Sequence, residues 1–176
     1  TTGSGVFIHE SGIILTNAHV AQYFLLSTTT SSKKTECTVR QGETAKDKYL
    51  AELIYLSPSW ARNIVDSTEK LQPRKGTGES DYALLRVFGA KRGKLPDSFS
   101  SFSFNLLSAP LKENDEVSVA GYPAEGLTFK NIQKKLKFKE AEADVTSIQS
   151  YVNSYADLLT LSATELSASG VSGGPI

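Results

Sequence analysis

Gly170-Val171-Ser172-Gly173-Gly174-Pro175 sets one hydroxyl inside a glycine-rich turn. Residues without a Cβ adopt positive φ at little cost, so such a turn can aim successive N–H groups inward and let a carbonyl come close. The pattern predicts an oxyanion hole built from the backbone N–H groups of Gly170 and Ser172, with Ser172 Oγ as the attacking atom. A serine hydroxyl needs a base near neutral pH, and the chain has only two histidines. His19 closes Gly12-Ile13-Ile14-Leu15-Thr16-Asn17-Ala18-His19, where an apolar run gives way to small polar residues and hands the imidazole to a loop. His9 stands just before Glu10-Ser11-Gly12 and reads as a solvated hairpin residue.

A triad also needs an acid that fixes the imidazole tautomer and stabilises its charged form. Asp81 opens Asp81-Tyr82-Ala83-Leu84-Leu85-Arg86-Val87, at the mouth of an apolar strand where a carboxylate can be half-buried. Asp66, Asp97, Asp115 and Asp144 lack that setting, and Asp157 is too near Ser172 in the chain to come from another half. Taken singly, each segment has an ordinary explanation: a polar tail, a surface histidine, an aspartate in a turn. Together, His19, Asp81 and Ser172 are the expected catalytic residues.

The elements that must hold these groups are short strands. Apolar or alternating runs are separated by Gly, Ser and Thr clusters nearly throughout, which predicts an all-β chain. Candidate strands are Gly5 to His9, Gly12 to Thr16, Cys37 to Arg40, Tyr49 to Leu56, Tyr82 to Val87, Glu116 to Gly121, Ala143 to Gln149 and Leu158 to Ala163. Val20 to Phe24 suits one helical turn, and Ser27 to Thr35 a polar loop. Ser59 to Ser80 reads as an exposed insertion with a helix near Ala61 to Lys70. The stretch from Lys91 to Pro110 holds Gly93, Pro96 and many serines, so it is the expected connector. The halves are then 1–95 and 111–176, joined by 96–110.

Composition narrows the function classes. Lys+Arg and Asp+Glu both number 19, so the net charge is zero and gives no bias toward nucleic acid. The lysines at 130, 134, 135, 137 and 139 are followed by Glu140, Glu142 and Asp144, which favours a solvated loop or hairpin face over a nucleic-acid surface. No apolar run reaches the roughly 18 residues of a membrane span. Two histidines and one cysteine make no usual zinc site; no metal or cofactor is expected. Cys37 has no partner for an internal disulfide and reads as a small core residue. With no Met at all, the chain reads as a piece of a longer protein.

Several segments together resemble the trypsin-like peptidases, most closely the bacterial HtrA/Deg-like branch. They are Gly3-Ser4-Gly5-Val6-Phe7-Ile8, Ile14-Leu15-Thr16-Asn17-Ala18-His19-Val20, Asp81-Tyr82-Ala83-Leu84-Leu85, Gly121-Tyr122-Pro123 and Gly170-Val171-Ser172-Gly173-Gly174-Pro175. The resemblance implies a two-barrel fold, with His19 and Asp81 on the first barrel, Ser172 on the second, and the site in the cleft between. It implies hydrolysis of peptide bonds in protein or peptide substrates through an acyl-enzyme. By family position Leu166 lies at the base of the primary substrate pocket; its apolar side chain argues for a small or medium aliphatic residue before the cut. The family also implies the cell envelope, periplasm or exterior, with any membrane anchor in segments not present here.

The sequence departs from the family pattern in several places. Relatives continue past the Ser-Gly-Gly-Pro turn, so the second barrel is expected to be incomplete at its C-terminal end. Open strand edges would invite pairing with another chain, which makes an oligomer compatible with the sequence. The residue before the serine is commonly Asp or Asn, whereas Val171 stands here. A cysteine nucleophile is excluded because Ser172 occupies the turn. The rival reading is a catalytically inactive trypsin-fold interaction module.

Overall fold

The computed structural model describes residues 2–28, 36–62, 80–102, 110–150 and 157–176. Its strands in chain order are β1 Val6–His9, β2 Ile13–Thr16, β3 Cys37–Gln41, β4 Lys46–Leu56, β5 Ala83–Ala90, β6 Glu116–Gly121, β7 Lys139–Gln149 and β8 Leu158–Leu161. β1 to β5 form a curled five-stranded sheet in the order β1-β2-β5-β4-β3, and β6 to β8 form a second sheet in chain order. Every pairing is antiparallel. The all-β, two-sheet architecture expected from the sequence is therefore present.

β5 shows why the first sheet folds as it does. Its side chains alternate across the sheet, so Ala83, Leu85 and Val87 are buried while Arg86 and Phe88 face out. β2 and β4 flank β5, and Ile14, Ala51, Leu85 and Val87 join in one core with Phe7, Tyr49 and Phe99 packed against it. Fully burying a side chain such as Leu or Val stabilises the fold by about 1.5–3 kcal/mol. Phe7 and Phe99 stack with centroids 5.0 Å apart, and Tyr49 meets Phe99 edge-on at 5.2 Å. Phe99 N–H donates to Glu10 O and Phe102 N–H to Phe7 O, so this part of the expected connector lies against the first sheet. The β1–β2 turn closes with Gly12 at φ +87°, its N–H donating to His9 O at 3.1 Å. His9 is exposed and, among the described residues, its side chain bonds only its turn neighbour Ser11, as its sequence position implied.

Two strands begin earlier than the hydrophobic pattern indicates. β4 begins at Lys46 instead of Tyr49, because the exposed Lys46 and Asp47 pair with Gln41 and Arg40 of β3. Arg40 Nε meets Asp47 Oδ1 at 2.7 Å across that ladder. β7 begins at Lys139 instead of Ala143, with its glutamates on the wet face, where Ser118 Oγ donates to both Glu140 and Glu142. The basic run is not one loop or hairpin face: Lys130, Lys134 and Lys135 lie on a helix, Phe129–Lys135, and only Lys139 enters the strand. Asn131 Oδ1 accepts from Thr128 N–H at 2.7 Å and stops the start of this helix from fraying. Ile132 and Leu136 bury its apolar side, against Ala45 of the first half.

The two halves are joined by backbone as well as packing. Ala45 N–H donates to Leu136 O at 2.8 Å and Phe138 N–H to Glu43 O at 2.9 Å, while Tyr122 Oη donates to Gly42 O at 3.1 Å. The helical turn expected over Val20 to Phe24 is a short helix, Ala18–Ala21, followed by a 3₁₀ stretch, Gln22–Thr28. Most of the polar loop Ser27 to Thr35 lies outside the described residues. So does most of the insertion Ser59 to Ser80, whose described start, 58–62, is helical.

Candidate active site

His19 leaves the end of β2 on the first turn of the helix Ala18–Ala21. Its backbone N–H donates to Asp81 Oδ1 at 2.9 Å, and its ring Nδ1 meets Asp81 Oδ2 at 2.7 Å. An ionised carboxylate only accepts, so Nδ1 carries a proton and Nε2 is left as the basic nitrogen. Gln22 Nε2 donates to His19 O at 2.7 Å and steadies the same turn. The His19 side chain is 45% exposed against 18% for Asp81, so the carboxylate is the more enclosed of the two.

Asp81 is held by a local turn. Ser80 has φ +57°, an uncommon value for a residue with a Cβ, and Tyr82 N–H reaches back to Ser80 O at 2.9 Å. Asn17 Nδ2 donates to Asp81 O at 2.8 Å, so the segment before β5 is tied to the segment before His19. The expected pair of base and acid is thus assembled on one sheet.

Ser172 comes from the other half. Gly170 and Gly173 have φ of +95° and +89°, values that L-residues rarely adopt. A Cβ on Gly170 would lie 2.7 Å from Ala124 Cβ, and one on Gly174 would lie 2.2 Å from Ala120 O, so the turn packs closely on the end of β6. Ala124 N–H donates to Ser169 O and Gly174 N–H to Val171 O, both at 2.8 Å. In a trans peptide the C=O and N–H point opposite ways. Holding Ser169 O and Val171 O therefore fixes the directions of the Gly170 and Ser172 N–H groups. Neither amide donates to an acceptor among the described residues, so both remain free for a ligand oxygen.

Val171 takes over the anchoring that a polar residue would provide. It packs against the buried cluster of Val119, Ala143 and Leu166, and a Cβ on Gly121 would come within 2.9 Å of its Cγ1. Leu166 is 5% exposed and borders a cleft of about 600 Å³ that also touches Asp81, Leu161 and Ser172. The floor of that cleft is apolar. No hydrogen bond joins Ser172 Oγ to His19 Nε2; the structure brings their segments together without closing that last contact.

A family model described as a trypsin-like peptidase domain matches residues 3–176. This chain belongs to that family. Comparison with curated proteins found no match. Membership in the trypsin-like peptidase family supports a hydrolase, of the serine-protease kind, acting on protein substrates in general. It agrees with a mostly β chain built on a curled half-barrel sheet and a second sheet. Residues that sequence reasoning left without a role are Ser4 and Thr16, whose hydrogen bonds run to the nucleophile turn and its support. Gly3-Ser4-Gly5 was visible as a motif, but a short polar side chain in a glycine-rich segment gives no sign of its partner.

Proposed function

We propose that the protein is a serine endopeptidase that cleaves through an acyl-enzyme with His19, Asp81 and Ser172. The observation that carries this is the 2.7 Å contact of His19 Nδ1 with Asp81 Oδ2, which leaves Nε2 as the base, while Asp81 and Ser172 line the same cleft. His19 Nε2 takes the Ser172 Oγ proton as Oγ bonds to the substrate carbonyl carbon. The carbonyl oxygen becomes an oxyanion and receives the Gly170 and Ser172 N–H groups. The tetrahedral adduct collapses with cleavage of the C–N bond, and the imidazolium gives its proton to the leaving amine. Water, deprotonated by the same nitrogen, then attacks the acyl-enzyme and frees the acid and Ser172. Catalytic hydrogen bonds are often long or unmade before substrate is seated, so the Ser172–His19 bond forms as the substrate carbonyl enters the turn.

The apolar floor at Leu166 supports a small or medium aliphatic residue before the cut. The motif Thr16-Asn17-Ala18-His19 with Asp81-Tyr82-Ala83-Leu84-Leu85 supports placement in the HtrA/Deg-like branch, and with it a working place in the cell envelope or exterior. The division into 1–95 and 111–176 follows the same resemblance. The unmade Ser172–His19 bond is what favours an inactive interaction module instead. A peptide library separates the readings: the endopeptidase cuts after Val, Ala or Leu, and Ser172→Ala abolishes the cuts. A folded protein that leaves every peptide intact would support the interaction module.

A further inference from the structure

Ser4 takes no part in the steps above, yet its hydrogen bonds reach the turn itself, the residue after β6 and the end of β2. It is 7% exposed. Its N–H donates to Ser172 O at 2.8 Å. Its hydroxyl donates to Gly170 O at 2.8 Å and accepts from Tyr122 N–H at 3.0 Å. Its own carbonyl accepts from Thr16 Oγ1 at 2.7 Å. We propose that Ser4 is a positioning residue for the oxyanion hole, locking the Gly170–Ser172 turn in the conformation that presents its N–H groups to substrate. The proposal rests on the peptidase reading of that turn.

Ser169 O is held by Ala124 N–H and Val171 O by Gly174 N–H, while Gly170 O and Ser172 O are both held by Ser4. Each of these four carbonyls fixes one peptide plane. Glycine offers little steric resistance to rotation of its neighbouring peptides, so hydrogen bonding has to keep the Gly170–Val171 peptide from turning over. Among the described residues, the only side chain holding that plane is that of Ser4, whose Oγ bonds Gly170 O. That plane and the Ser172–Gly173 plane, whose carbonyl the Ser4 N–H holds, flank the peptide that carries the Ser172 N–H, so Ser4 fixes that peptide from both sides. Ser4 Oγ has no slack: a Cβ on Gly121 would lie only 3.1 Å from it. Thr16 holds Ser4 in turn, and Thr16 ends the strand that leads to His19. Ser4 thus sets the turn relative to the base as well as to itself.

The test compares the full chain with Ser4→Ala. The readouts are kcat and KM on a cleaved peptide, the affinity of a peptidyl boronate that forms a tetrahedral adduct, amide exchange at Ala124 and Gly174, whose N–H groups hold the turn's carbonyls, and the melting temperature. A misplacement of about 1 Å in a catalytic group costs roughly 100-fold. The expected loss in kcat is therefore about 10- to 100-fold, with KM within roughly two-fold and boronate affinity falling in step with kcat. Exchange at Ala124 and Gly174 should quicken while β2 and the body of β6 stay protected. Unchanged kcat and boronate affinity would overturn the proposal, as would a change confined to KM and melting temperature. If the unaltered chain cuts no peptide, the peptidase reading fails by itself, and exchange alone decides: equal protection at Ala124 and Gly174 in Ser4→Ala removes the positioning role. Should Ser4→Ala not fold, Ser4→Cys keeps a weak donor of similar size: kcat and boronate affinity should both fall below those of the unaltered chain with KM little changed, and equal values would overturn the proposal.

Discussion

A Cβ built on Gly173 would lie 2.4 Å from Thr16 Oγ1 and 2.4 Å from Ser4 O. The turn that carries Ser172 is therefore seated directly on the strand end that leads into His19. Two groups from different sheets share one rigid contact, and the glycine is what makes the approach close enough. No side chain fits in that space, and φ of +89° disfavours one in any case.

Gly173→Ala should consequently destabilise the fold by at least about 2 kcal/mol, from backbone strain together with the clash. In a chain of this size a loss of that order lowers the melting temperature by roughly 4–8 °C. Gly93 also has positive φ, at +72°, but a Cβ there meets nothing within 4 Å. Gly93→Asn should leave the melting temperature within about 2 °C, since Asn tolerates this backbone region. Equal melting of Gly173→Ala and the unaltered chain would contradict the packing described.

Asp81→Asn tests the acid. An amide in place of the carboxylate can donate to His19 Nδ1 and hold the proton on the wrong nitrogen, so kcat should fall by about 10⁴-fold with little change in KM. His19 N–H can still reach the amide oxygen, so circular dichroism and melting should be nearly unaltered. Retention of more than a tenth of kcat would mean that Asp81 is not the residue that sets the histidine tautomer.

Much of this was legible in the sequence because the strands that hold the site are the most buried ones. β2 and β5 carry Ile14, Leu85 and Val87 at alternate positions, and such a pattern announces itself. The starts of β4 and β7 were missed because Lys46, Asp47, Lys139 and Glu140 satisfy the ladder while facing water, so they carry no apolar signal. The helix Phe129–Lys135 was missed for another reason. Its lysines drew attention to charge, whereas its structure depends on the Asn131 bond to Thr128 and on buried Ile132. The contact of His19 with Asp81 could be expected from residue types; the hold of Ser4 on Gly170 could not, since nothing local relates positions so far apart.

Leu166→Ala tests the pocket floor. Removing a buried leucine side chain costs about 2–5 kcal/mol, so the variant should melt lower yet fold. The space gained should move the preferred residue before the cut toward larger side chains, with the kcat/KM ratio of Phe to Val peptides rising about ten-fold. An unchanged ratio would place the pocket elsewhere in the cleft.

Cys37 gives a pH dependence with a definite sign. Burial holds its thiol above the ordinary value of 9.0, with the Arg40 guanidinium pulling weakly the other way. The folded state therefore keeps its proton where the unfolded chain would lose it. The contribution is fully present below the ordinary thiol range and is lost as pH rises through it. The urea midpoint should be flat from about pH 7 to 8 and fall above about pH 9, and Cys37→Ala should flatten that decline. A midpoint that rises with alkalinity in the same range would contradict the buried thiol.

The central claim is an activated Ser172 served by His19. A reporter fluorophosphonate reacts with a serine whose proton has a base to receive it and whose adduct oxygen has donors to meet it. The measurement is labelling of the unaltered chain, with peptide mapping of the modified residue, beside His19→Ala and Ser172→Ala. The account predicts modification at Ser172 alone, lost in Ser172→Ala and slowed by at least about 100-fold in His19→Ala. A folded protein that stays unlabelled, or one that labels equally fast without His19, would contradict it.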